Sequence, residues 1–112
     1  MPSEQREIVD GTLVVRTERN GDTRVIALRG ELDLANASTA ESALQDSLSG
    51  GDEVVVDMRE LEFIDSTGIA MLVSALDGDG EPRLRFVPSS APAVARVLEL
   101  TGLAERLPLA DA

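Results

Sequence analysis

The chain has no cysteine and no histidine, and each absence removes a class of chemistry. Without cysteine there is no disulfide framework, no thiol nucleophile and no thiolate metal site, and the redox compartment cannot be read from thiols. Without histidine the commonest general base and the commonest neutral metal ligand are both missing, which excludes a Ser-His-Asp hydrolase. Lysine is absent as well: all ten basic residues are arginine, set against 21 acidic residues for a formal net charge of -11. No basic run could release counterions from a phosphate backbone, so nucleic acid and anionic membrane surfaces are poor partners. A surface this acidic favours encounter with basic faces of other proteins. No apolar run approaches the roughly 20 residues of a membrane span, and no basic-then-apolar signal opens the chain. A cytoplasmic protein is expected. Asp77-Gly78-Asp79 lacks the spaced ligands and closing Glu of a calcium loop and reads as a surface turn. Neither metal nor cofactor is expected.

What is present suits one globular domain. The 112 residues are 43% hydrophobic and 28% charged, long enough for a single core and too apolar for disorder. Residues 1 to 10 are polar and charged and read as a loose end. Apolar and polar residues interleave from Thr12 to Glu18 and from Thr23 to Arg29, with the turn dipeptide Asn20-Gly21 between them, so a β-hairpin is expected. After Gly30-Glu31-Leu32-Asp33-Leu34, the spacing of Ala37, Ala40, Leu44 and Leu48 predicts one apolar stripe on a helix, ended by Ser49-Gly50-Gly51. The β-branched run Val54-Val55-Val56 predicts a central strand of a parallel sheet, buried on both faces, and Asp57 to Ile64 reads as a connection.

Ile69, Leu72, Val73 and Leu76 predict a second helix, ended by Gly78 and Gly80. Leu84 and Phe86 alternate with arginines in a further strand, and Ser89-Ser90 would cap a third helix carrying Val94, Val97 and Leu98. Gly102 fits the left-handed position after its last turn. Leu107 to Leu109 would add a short edge strand, weakened by Pro108. The order ββαβαβα implies an α/β fold: a small sheet of four to five strands with helices packed against it, its core spanning about residues 12 to 109.

One stretch interrupts the apolar pattern. In Phe63-Ile64-Asp65-Ser66-Thr67-Gly68-Ile69, Asp65 stands at the N-cap of the second helix, where its carboxylate can accept from first-turn N–H groups. Ser66 and Thr67 fall in that turn, beside the positive end of the helix dipole, where a phosphoryl group would be favoured by about 0.3 to 1 kcal/mol. Gly68 permits close approach of another group, at roughly 1 kcal/mol of helix propensity relative to Ala. Phe63, Ile64 and Ile69 read as apolar anchors around the quartet. Met71 lies off the apolar stripe and is expected on an exposed, partner-binding face. Alone, the quartet also describes a plain helix cap, and no Walker loop precedes it.

Four segments in order, Gly30-Glu31-Leu32-Asp33, Val54-Val55-Val56-Asp57, Phe63 to Ile69 and Leu98-Glu99-Leu100-Thr101-Gly102-Leu103, resemble the STAS family of anti-sigma factor antagonists. The resemblance implies a mixed-sheet STAS fold and a regulator rather than an enzyme. It maps a phosphorylated serine onto Ser66, with Asp33 beside its hydroxyl and Asp65, Thr67, Gly68 and Met71 in the surrounding surface. It implies as partners an anti-sigma factor that is also a serine kinase, bound only by the unphosphorylated form, and a phosphatase that resets the switch. Two alternatives accompany it: a non-switching STAS subunit docked on a transporter ATPase, and a small-molecule or nucleotide-binding module. The brief segment between Leu76 and Leu84 departs from relatives that continue through a longer basic helix, which bears on partner identity rather than fold.

Overall fold

A computed structural model of the chain describes residues 5–50, 53–78 and 83–110. Five strands form one sheet in the order β1-β2-β3-β4-β5: β1 (Gln5–Asp10), β2 (Leu13–Asn20), β3 (Thr23–Leu32), β4 (Glu53–Ile64) and β5 (Leu84–Val87). The first three are antiparallel neighbours and the last three parallel ones. Helices α1 (Ala37–Ser49) and α2 (Ser66–Asp77) make the crossovers between the parallel strands, α3 (Pro92–Leu100) follows β5 and packs with them over the sheet, and a short α4 (Leu103–Arg106) comes last. The expected mixed α/β sheet is therefore present, with one strand more than the ββαβαβα order contained.

That strand is β1. The expectation of a loose N-terminus through residue 10 is corrected from Gln5 onward: Gln5 to Asp10 pair in full register with Glu18 to Leu13. The segment shows no apolar alternation because it is an edge strand whose side chains are almost all exposed, so its place is held by backbone bonds to β2 and, at its end, by the Thr39 hydroxyl, which donates to Asp10 Oδ2 at 2.6 Å. The hairpin at Asn20-Gly21 forms as expected, with Asn20 opposite Thr23.

The second correction concerns β4. Val54 and Val56 are buried and Val55 only half-buried, so the run is central in the sheet but covered fully on one face. The strand then continues through Asp57 to Ile64, which had read as a connection. Its buried residues are Val54, Val56, Met58, Leu61 and Ile64. The spacing lengthens from two to three because the pairing with β3 shifts register between Ala27 and Arg29 and again between Gly30 and Glu31. Each irregularity adds a residue to β4, so the inward face keeps its core contacts while the sequence loses its period of two.

The core fills the space between this inward sheet face and the helices: Leu13, Val15, Ile26, Leu28, Leu84 and Phe86 from the sheet, Leu44, Leu72, Val94 and Leu98 from the helices. In α1 the buried stripe ends on Ser47, with Leu48 half-buried. Ser89 does not cap α3, whose N-cap is Ala91. Its buried hydroxyl donates to the Leu61 carbonyl at 2.7 Å and accepts from Ala91 N–H at 3.0 Å, tying the start of α3 to β4. Gly102 takes the left-handed conformation, φ 78°. Leu109 makes a single bridge to Phe86 rather than a strand. Gly50 and Gly78 follow α1 and α2 as expected, while Gly51, and Asp79, Gly80, Glu81 and Pro82, lie outside the described residues.

Gly30 is where β3 parts from β2. Its φ is 96°, and a Cβ there would come within 2.0 Å of the Thr12 carbonyl oxygen. Strain in φ and a backbone clash act together, so Gly30→Ala is expected to cost more than the about 1 to 3 kcal/mol of a strained backbone position alone. At Gly102 the φ is similar but nothing lies within 4 Å of the added atom. Urea unfolding should therefore find Gly102→Ala clearly the milder variant; equal losses would refute the clash.

Candidate functional site

The β3–α1 loop and the β4–α2 junction meet at one end of the sheet, and a single side chain joins them. Asp65 follows β4 in extended conformation, its N–H still donating to the Leu32 carbonyl at 3.1 Å. Its Oδ1 accepts from Thr67 N–H at 2.9 Å and Gly68 N–H at 3.1 Å, the capping role expected from sequence. Its Oδ2 accepts from Leu34 N–H at 3.1 Å, across 31 residues of chain. One carboxylate thus starts α2 and holds the Asp33 loop against it.

The loop has its own internal lock, and sequence reasoning missed it. Asn36, 2% exposed, accepts from Asp33 N–H through Oδ1 at 2.9 Å and donates from Nδ2 to the Glu31 carbonyl at 2.9 Å. It sits at the N-cap position of α1 yet makes no side-chain cap bond. The available signal was an Asn just before a helical stripe, which normally reads as a cap; here the amide faces back into the loop. Asp33 accepts from Ala35 N–H at 3.0 Å through Oδ1, and its carbonyl takes the N–H groups of Asn36 and Ala37. Asp57, at the first β4 irregularity, bonds Arg59 through backbone and guanidinium, the closest contact being 2.8 Å. That guanidinium holds the Asp57 carboxyl below its ordinary range.

Ser66 is the exposed first residue of α2. Of the first-turn amides, those of Thr67 and Gly68 are taken by the Asp65 carboxylate and that of Ile69 by the Asp65 carbonyl. The helix start is therefore already occupied by an anion, and a phosphoryl group on Ser66 would gain less from the dipole than expected from sequence. Thr67 is half-buried. Gly68 is buried, and a Cβ on it would stand 2.7 Å from Ile64 Cγ1 and 3.0 Å from Leu32 Cγ.

Met71 requires a correction. It is 5% exposed and belongs to the core, with Gly68, Leu72 and Ala75 as the buried stripe of α2; Ile69, Val73 and Leu76 are only half-buried. The helix is rotated by about one residue from the expected face, because contact of Gly68 with Ile64 and Leu32 sets which side turns inward. Phe63 is also not an anchor: it is 42% exposed, while Ile64 is 1% exposed. Leu34, 77% exposed, sits in the loop that Asp65 holds, and Phe63 lies opposite Glu31 at the end of β4, so apolar side chains are exposed in both segments that flank Ser66 in sequence or through Asp65, among the carboxylates of Glu31, Asp33, Glu62 and Asp65. Among the described residues no group of three or more acidic side chains could hold a metal ion, and no helix is long and apolar enough to cross a membrane.

A mixed five-stranded sheet with helices packed over it and a serine opening the helix after β4 define the class of α/β domain to which the chain can be compared. The family model described as Mlab, STAS domain matches residues 15–110, and the chain belongs to the STAS family. No curated protein sequence matches it significantly. Among solved structures it is similar to an anti-sigma factor antagonist from Mycobacterium paratuberculosis, with a TM-score of 0.79 and 24% identity over 89% of this chain and 86% of that one. It is also similar to the anti-sigma factor antagonist SpoIIAA in its unphosphorylated form, TM-score 0.67, 20% identity, covering 87% and 88% of the two chains. The phosphorylated form of the Bacillus SpoIIAA gives a TM-score of 0.62 at 21% identity, covering 87% and 91%. At these identities the likeness establishes the fold.

Two substitutions test the construction of this end of the sheet. Asp65→Ala leaves three backbone donors without their acceptor and should cost about 1 to 3 kcal/mol by chemical denaturation, with hydrogen exchange rising at Leu34 as well as at Thr67 and Gly68. Faster exchange in α2 alone would show that the cross-loop bond contributes nothing. Gly68→Ala gains about 1 kcal/mol of helix propensity but must displace Ile64 or Leu32, at about 1 to 3 kcal/mol for overpacking. The net expectation is a lower melting temperature; a rise would mean that the packing yields freely.

Proposed function

We propose that the protein is an anti-sigma factor antagonist working by partner switching, with Ser66 as its phosphorylation site. The observation that carries this reading is the exposed Ser66 residue at the start of α2, next to the Asp65 cap, whose carboxylate also holds the loop of exposed Leu34. Unphosphorylated, this surface docks on an anti-sigma factor with serine kinase activity. Exposed Leu34 and Phe63 supply desolvated contact, and Glu31, Asp33, Glu62 and Asp65 favour a basic rim on the partner.

Phosphorylation adds about -1.5 to -2 charges next to Asp65, whose carboxylate already serves the helix start. The phosphate therefore projects outward, occupying and over-charging the docking surface without melting α2. A phosphatase restores the binding form. Thr67, half-buried, is the poorer acceptor. This reading makes the protein a cytoplasmic regulator and not an enzyme. One observation favours a second reading, a STAS subunit docked on a transporter ATPase without switching: the matching family model is described by Mlab and not by an antagonist.

Incubation with the host's anti-sigma kinases and ATP, followed by phosphopeptide mass spectrometry, should find modification at Ser66 that is lost in Ser66→Ala. Ser66→Asp should weaken binding to the anti-sigma factor at least tenfold, about 1.4 kcal/mol, with little change in melting temperature. Active kinases that leave Ser66 untouched would favour the ATPase-docking reading, and collapse of the fold in Ser66→Asp would return Ser66 to a purely structural part.

A further inference from the structure

The two edges of the sheet are treated differently. Along β5 the chain's own C-terminal segment covers the edge: Phe86 N–H donates to the Pro108 carbonyl at 2.8 Å and Ala110 N–H to the Phe86 carbonyl at 2.9 Å. Along β1 no described residue lies on the outer side; β1 pairs only with β2. Its residues Gln5 to Val9 are exposed, including Ile8 at 40% and Val9 at 68%. It contains no proline, and its pairing with β2 has no register shift. A flat edge with exposed β-branched side chains on both faces is a template for another strand. On the helix side α1 touches β1 at the end of the strand, where Thr39 Oγ1 donates to Asp10 Oδ2 at 2.6 Å; elsewhere a cleft of about 810 Å³, lined by Ile8, Val15 and Thr17 on one side and Ser38 and Ser42 on the other, separates the two.

We propose that β1 pairs antiparallel with β1 of a second copy, about a twofold axis perpendicular to the sheet and passing midway between Ile8 and the partner's Ile8, joining the two sheets into one. The sequence of the strand itself names this occupant. Such an axis keeps every side chain on its own face, so only residues separated by an even number of positions can lie opposite one another. Centring on Glu7 would oppose two carboxylates on a chain already at -11. Centring on Val9 would set Ile8 against the partner's Asp10 and shorten the pairing. Centring on Ile8 opposes it to the partner's Ile8, and Arg6 to the partner's Asp10 twice over by symmetry. Opposite charges and apolar pairs directly across a ladder are the favourable combinations.

A six-residue strand on each side buries less than the about 1,200 Å² of a stable interface, so the dimer is weak and reversible. The twofold reverses strand direction, which sets the two Ser66 surfaces at opposite ends of the joined sheet, each open to its own partner. The inference does not depend on phosphorylation of Ser66.

Sedimentation velocity over roughly a hundredfold dilution should show the wild-type chain passing from dimer to monomer, and Ile8→Lys should remain monomeric with an unchanged circular dichroism spectrum. Because the chain lacks cysteine, the register can be read directly. Directly opposite Cβ atoms lie about 4.5 to 5.5 Å apart and diagonal ones about 7 to 8 Å, so under mild oxidation Ile8→Cys should form a covalent dimer much faster than Glu7→Cys or Val9→Cys. A wild-type monomer at every concentration overturns the proposal. So does a dimer in which Ile8→Cys cross-links no faster than its neighbours, since that dimer would use another surface or another register.

Discussion

The carboxylate of Asp65 is the constraint on which the functional end of the molecule depends. Its two oxygens satisfy three backbone donors from two segments that are distant in sequence, Leu34 on one side and Thr67 and Gly68 on the other. A helix start and a loop are thereby fixed to the same atom group, and Ser66 is presented at a defined place relative to the Asp33 loop. Asn36 completes the arrangement from within, since its buried amide shapes the loop that offers Leu34.

That use of Asp65 also decides the electrostatics. A helix N-terminus attracts an added anion when its amides are free; here Asp65 holds those of Thr67 and Gly68 through its carboxylate and that of Ile69 through its carbonyl. Charge added at Ser66 has little to bind within the domain and meets existing carboxylates around it. Its effect falls on whatever approaches the surface. On the sheet, by contrast, opposite charges lie across from one another at Glu7 and Arg16 and at Arg29 and Glu60, although Arg19 lies opposite Arg24.

The parts legible in sequence were those in which local chemistry and tertiary packing agree. The Asn20-Gly21 hairpin, the Asp65 cap, the left-handed Gly102 and the apolar periodicity of α1 and α3 each follow from a few adjacent residues. β1 was illegible because an exposed edge strand needs no apolar alternation. The second half of β4 was illegible because two register shifts spread its buried residues from every second to every third position. The face of α2 was misjudged for another reason. The helix carries apolar residues nearly all round, from Ile69 to Leu76, so two stripes fit the periodicity equally, and the buried one includes Met71.

By itself, the amino-acid sequence determined the chemistry available and the local geometry: an acidic, thiol-free and imidazole-free chain, its turns and caps, and one hydroxyl opening a helix. Those features depend on residue type and on neighbours within a few positions. Only the tertiary structure decided that Met71 is core and Phe63 surface, that Asn36 locks a loop instead of capping a helix, and that Asp65 reaches Leu34. Met71, Phe63 and Asp65 are set by close packing or by a hydrogen bond between segments some 30 residues apart, and no local pattern encodes which distant atoms will meet; the Asn36 bonds reach only three and five residues, but the same residue type fits a cap as well, and the fold of the loop decides between the two.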